Sequence, residues 1–267
     1  MLSRRWALFA LTVVVLAYGC YLLGRWQFHR LHDRESTNTQ IRHNLAADPE
    51  PVGDVLAPGR ESRPRDEWRR VTATGTYDRH RSVVIRYQTR DGASGVDVVT
   101  PLRTPQGPSL LVDRGWLKTG NVGAASVDAP APPAGRVTVE GFVRADATGD
   151  ATTVTDGSAR AISSRAIGRS TGLQVYGGFV DAQKETPAPS TRLVAAEQPD
   201  LGNGPHFFYG LQWWFFGLLA VFGFFYLAYD ERRKMRADAQ PGPAASQGPG
   251  HPAVDGEHRA ADEARSG

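Results

Sequence analysis

The chain has 267 residues, 40% of them hydrophobic and 22% charged, with a formal net charge of +3 and a single cysteine, Cys20. One cysteine excludes an intrachain disulfide, a CxxC redox pair and a cysteine zinc cluster, and two methionines are too few for a thioether copper site. The charge is nearly balanced between the two apolar runs described next, with 23 Lys/Arg against 21 Asp/Glu, so no basic surface for nucleic acid is expected.

The average composition hides a strong segregation. Sixteen of the 25 aromatic residues fall within residues 6–23 and 207–229, which together hold only 41 residues. Residues 6–23 carry no charge and follow Arg4 and Arg5. No small-x-small cleavage site ends this run. It continues through Gly24-Arg25-Trp26-Gln27, where an aromatic and an arginine mark an interfacial helix end, so an uncleaved anchor is expected over residues 1–31. Residues 32–65 are polar and punctuated by proline, which predicts a linker.

Six short runs rich in Val, Ile, Tyr and Phe follow, at 71–78, 82–88, 96–103, 109–117, 137–144 and 174–181. Gly, Asp, Pro and Ser clusters separate them, and residues 90–95, with Asp91-Gly92, read as a hairpin loop. The spacing predicts an antiparallel, barrel-like β-rich domain over residues 66–205, with one short helix at 161–170. The fold class is therefore an α+β external domain flanked by two transmembrane helices. Residues 207–229 form an uncharged stretch of about 34 Å as a helix, enough for a hydrocarbon core of about 30 Å, and the second span is placed at 206–230. Arg232, Arg233, Lys234 and Arg236 follow it, whereas Arg192 is the only basic residue in the 15 positions before it. Both termini are thus expected in the cytoplasm of a plasma-membrane protein, with the central domain extracytoplasmic. Residues 231–267 form a basic flank and a tail too poor in apolar residues to order.

The chain carries no nucleophile elbow, P-loop, HExxH or dinucleotide fingerprint, so no enzyme is expected. His29 and His32 are two ligands without a third, and His80 and Asp113 stand alone in sequence. His206 opens the second span after Pro205. Tyr209 and Trp213 follow at i+3 and i+7 with Gln212 beside them, placing imidazole, phenol and indole on one stripe. Such a stripe could present an axial imidazole to heme iron, but composition alone favours an interfacial aromatic belt.

Three blocks carry a resemblance. Leu23-Gly24-Arg25-Trp26-Gln27-Phe28-His29-Arg30 resembles the Leu-Gly-x-Trp-Gln-x-x-Arg signature of the surfeit-locus-one family of cytochrome c oxidase assembly factors. Val112-Asp113-Arg114-Gly115-Trp116 resembles its Val-Asn-Arg-Gly-Trp strand, and His206-Phe207-Phe208-Tyr209-Gly210-Leu211-Gln212-Trp213 its His-x-x-Tyr-Ala-x-x-Trp block. The three occur in the family's order over residues 6–234, with Asp113, Gly210 and Leu117-Lys118 as departures. The resemblance implies a non-enzymatic factor that assists insertion of heme a into oxidase subunit I, with heme a synthase as a further partner. It makes His206 the proposed ligand; the helical stripe sets Tyr209, Gln212 and Trp213 about it, Trp26 lies near the outer interface, and Arg30 and Arg114 are the cations that could pair with propionates. The rarity of lysine against 28 arginines points to a bacterial member from a GC-rich genome. The sequence leaves open whether heme would sit in one protomer or between two. It also leaves the rival reading, a membrane-tethered extracytoplasmic binding or signalling protein without heme.

Overall fold

The computed structural model describes residues 4–105, 107–119, 127–202 and 204–238. Residues 239–267 of the expected basic flank and tail lie outside the described residues. Two units are distinguished, one built from Met1–Gly24 and Leu211–Gly267, the other from Arg25–Gly210.

The first unit consists of the apolar parts of two helices, α1 (Arg4–Ala46) and α4 (His206–Asp238), each long and apolar enough to cross a membrane. Small residues bring them together. A Cβ at Gly24 would overlap the Trp214 indole, and one at Gly217 would come 3.3 Å from Cys20 Cβ. Such close backbone approach supplies the dispersion contacts that hold them. At the other end Phe224 lies 5.8 Å from Trp6 and 5.5 Å from Phe9, ring centre to ring centre.

The second unit is a mixed β domain. Its elements are β1 (Glu50–Pro51), α2 (Val52–Val55), β2 (Arg70–Tyr77), β3 (Val83–Arg90), β4 (Ala93–Arg103), β5 (Ser109–Lys118), β6 (Arg136–Arg144), β7 (Ser158–Ala159), α3 (Ser164–Thr171) and β8 (Val175–Thr186). The order across the sheet is β1-β2-β6-β8-β5-β4-β3-β7, and β2 also pairs with β4 through Thr76–Arg103 and Tyr77–Leu102. All six expected strands form. The sheet is not wholly antiparallel, however, because β8 inserts between β6 and β5 and runs parallel to β5. The connection from β6 passes through β7 and α3, long enough to return the chain in that direction. Alternating Val71, Ala73, Val137 and Val139 join Leu102, Leu110, Val112 and Val180 in the largest apolar cluster. At about 25 cal/mol per Å² of buried apolar surface, this burial is the main stabilising term.

Three local expectations change. The hairpin loop is only Asp91-Gly92, with φ of 49° and 74°, the two positive values a two-residue type I′ turn requires. Helix α3 begins at Ser164 rather than residue 161, since Ser163 caps it by accepting from the Ala166 amide, and left-handed Gly172 ends it. The expected linker at 32–65 is helical as far as Ala46, because no proline interrupts it before Pro49. Its two buried asparagines explain the ordering. Asn38 Nδ2 donates to Leu201 O at 3.0 Å, and Asn44 Nδ2 donates to Arg65 O and Glu67 O at 2.9 and 2.8 Å. Val52, Val55 and Leu56 of the same stretch are core residues.

Candidate functional site

His206 is the first residue of α4, and the chain leading to it is pinned to the polar half of α1. Arg34 Nε donates to Gly202 O at 2.6 Å and Arg42 Nη2 to Leu201 O at 3.1 Å. Gly204 then turns the backbone at φ 64°, and Pro205, whose carbonyl accepts from the Tyr209 amide at 3.1 Å, launches the helix. This geometry delivers the half-buried imidazole to Gln27 of α1, with His206 Nδ1 and Gln27 Oε1 2.9 Å apart. No hydrogen bond is made by Nε2 among the described residues. That nitrogen faces the bare side of Gly204, where an added Cβ would lie 3.7 Å from it. Nearby Phe28 and Phe207 stack edge to face at 6.1 Å, and a Cβ at Gly210 would come 2.7 Å from the Phe28 ring.

A second constellation lies within the β domain. The parallel register of β5 on β8 sets Asp113 directly beside Asp181, and both are buried. Asp97 on β4 joins them at a cavity of about 550 Å³ that Arg90, Arg144 and Phe179 also line. Arg90 Nη2 bonds Asp97 at 3.0 Å and Arg144 Nη1 bonds Asp181 at 2.9 Å. Among the described residues Asp113 has no ion-pair partner, and it accepts a hydrogen bond from the Gly115 amide at 2.9 Å. Burial therefore pushes the Asp113 carboxyl well above the usual range, and the charges of Asp97 and Asp181 push it further. Asp97 is pushed up to about 6 by burial, against the pull of Arg90, and Asp181 is also raised by burial despite Arg144.

The SURF1 family model matches residues 14–218. The chain belongs to the SURF1 family. It is 32% identical over 250 residues to uncharacterised SURF1-like proteins of Mycobacterium bovis and Mycobacterium tuberculosis, covering 90% of this chain and 91% of theirs.

Within this SURF1-family chain, the residues marked by sequence are arranged unevenly. Trp26 is exposed, and the Arg30 guanidinium lies 5.6 Å from its ring centre, a cation–π contact that leaves both at the surface. Tyr209 and Gln212 are exposed, and Trp213 meets Phe216 edge to face at 6.2 Å. Arg114 is not available to a propionate. Its side chain is 2% exposed, donates to Pro130 O and Ala131 O at 2.8 and 3.4 Å, pairs with Glu185 at 3.6 Å and lies over the Tyr77 ring. An arginine so enclosed is a structural tie within the domain.

Two sets of residues escaped the sequence reading. Gln27 belonged to a quoted motif, yet its contact spans 179 positions between two helices, and only its place beside Trp26 at the end of the first apolar run marked it. Asp97 and Asp181, which join the already noted Asp113, were signalled by a charge in the middle of apolar runs, as in Val96-Asp97-Val98 and Val180-Asp181-Ala182. Among the described residues His29 and His32 gather no third ligand, and no cluster of three His, Cys, Asp or Glu is arranged to hold a metal ion.

Proposed function

We propose that this protein is a non-enzymatic assembly factor for heme–copper cytochrome c oxidase, and that it holds heme a transiently through His206 on the way to subunit I. The observation that carries the reading is the placing of the imidazole: one nitrogen is engaged by Gln27, and the other makes no hydrogen bond among the described residues and lies beside Gly204, which has no side chain. A single accessible nitrogen at the head of an aromatic-rich helix suits a carrier that must release its load, where a closed pair of histidines would retain it. Family membership supports the same reading.

The parts fit as follows. His206 Nε2 would ligate the iron, and the exposed Phe207, Phe208 and Tyr209 offer apolar and aromatic surface to a hydrophobic macrocycle. Arg30, exposed beside Trp26, remains the propionate candidate. When bound, heme a supplies an iron centre whose chemistry belongs to the oxidase, so the chain has only to bind, orient and yield it. Both helices span the plasma membrane in this proposal, with the Arg232–Arg236 flank in the cytoplasm and the β domain outside it, where it meets subunit I or heme a synthase.

The test has two arms. Protein purified from cells that make heme a is expected to carry a heme spectrum that His206→Ala removes; a heme-free wild type removes the ligand role. Deleting the gene is expected to lower the oxidase's heme a content, and an oxidase of normal heme content in a strain without a paralogue refutes the assembly role. The rival reading, a tethered extracytoplasmic binding protein, draws on one observation, the 550 Å³ cavity at Asp113. It predicts normal oxidase in the deletion strain.

A further inference from the structure

We infer that Gln27 is a positioning residue for heme iron: its side-chain oxygen holds the His206 imidazole with the proton on Nδ1 and so sets the donor strength of Nε2. This inference rests on the heme reading above and adds to it a residue from the other helix. An amide oxygen has no proton to give, so in the 2.9 Å contact Nδ1 is the donor. A neutral imidazole with its proton on Nδ1 keeps its lone pair on Nε2, the nitrogen that faces Gly204. Without Gln27 the tautomer protonated on Nε2 competes, and that form presents no lone pair at Nε2.

The same hydrogen bond acts on basicity. Drawing the Nδ1 proton toward an acceptor leaves more negative charge on the ring and makes Nε2 a stronger ligand, with a carboxylate acting more strongly than an amide. Gln27 is itself held in place, because it lies on the continuous helix α1, whose polar half is tied by Arg34, Asn38 and Arg42 to the segment that leads into His206. The contact is thus defined from both sides, within the unit Arg25–Gly210.

A simple tie between helices would alter stability alone, so the test reads the imidazole and the iron. In full-length protein labelled with 15N-histidine, long-range 1H–15N correlations, assigned with His206→Ala, are expected to show the Nδ1–H tautomer in the wild type. Gln27→Leu should shift it toward the Nε2–H form. With heme a added in nanodiscs, Gln27→Leu should weaken binding about 10–100-fold, while Gln27→Glu retains it. The iron midpoint potential should order as Gln27→Glu below wild type below Gln27→Leu, because a stronger donor stabilises ferric iron. A wild type with the Nε2–H tautomer, or equal affinity and potential in all three proteins, overturns the inference and leaves the heme reading standing if His206→Ala still loses heme. A wild type that takes up no heme removes both.

Discussion

Replacing Asp113 by asparagine should stabilise the protein at neutral and alkaline pH and flatten its dependence on pH. Asp113 lies beside Asp181 in register and shares a cavity with Asp97, while the two nearby arginines are engaged by those neighbours. The folded domain therefore retains protons that the unfolded chain releases. Stability from such raised groups is complete below about pH 4 and is lost as the pH climbs through their folded values. Asp97 gives the scale: a rise from 3.8 to about 6 corresponds to about 3 kcal/mol. Asp113 is shifted in the same direction by deeper burial and by both neighbours. An asparagine keeps an acceptor for the Gly115 amide and offers N–H groups to the adjacent carboxylates, so after relaxation a gain of about 2 kcal/mol at pH 8, roughly 4–8 °C in Tm, is expected. Asp66 and Asp78 do not confuse the measurement. Burial acts to raise both, but hydrogen bonds from Arg63 and Arg69 on one and from Arg103 and Arg81 on the other outweigh it, so their net shifts are downward and act below pH 4. Thermal midpoints followed by near-UV circular dichroism between pH 5 and 8, on full-length protein in detergent, provide the assay. Trp68 under Arg144 and Trp116 under Arg90 report on the cluster directly. A wild-type midpoint that rises over this range, or a variant with an unchanged slope, would refute the reasoning.

Two further substitutions probe the domain's architecture. Arg114→Met should cost about 3–5 kcal/mol, since it strands the buried Glu185 and the carbonyls of Pro130 and Ala131, while the heme bound per folded molecule stays at the wild-type level; denaturant titration with a heme assay on the folded fraction checks both. Gly115→Ala should cost more than about 3 kcal/mol, because Gly115 sits at φ 122° and a Cβ there would press to 2.5 Å on Val194 O, beside the paired Trp116–Val194 backbone bonds; the yield of folded protein and its Tm report the effect.

Much of the fold was legible because its determinants are local. Alternation in Arg70–Tyr77 and the Asp91-Gly92 turn are written within a few residues, and the strand limits followed from them. The insertion of β8 between β6 and β5 was not legible, because strand order is decided by packing between segments far apart in the chain. The extension of α1 was hidden for a related reason: its polar half looks like solvated linker until Asn38 and Asn44 find carbonyls at Leu201, Arg65 and Glu67. His206 could be marked by its place at the edge of an apolar run, whereas Gln27 and the aspartate cluster acquire meaning only from register and helix pairing.

The lone cysteine acquires a use from its neighbour. Cys20 has its Cβ 3.3 Å from the position a side chain at Gly217 would take, within a few tenths of an ångström of the Cβ separation in disulfides. Gly217→Cys would therefore create a staple between the two apolar helices, using a thiol that nature already placed and with no second cysteine to misdirect it. Oxidised in intact cells, the variant should close into a compact species of faster mobility on a non-reducing gel, and Cys20→Ser should abolish it. The helix pairing that Gly24 and Gly217 permit thus becomes measurable in the living cell, without purification or a ligand.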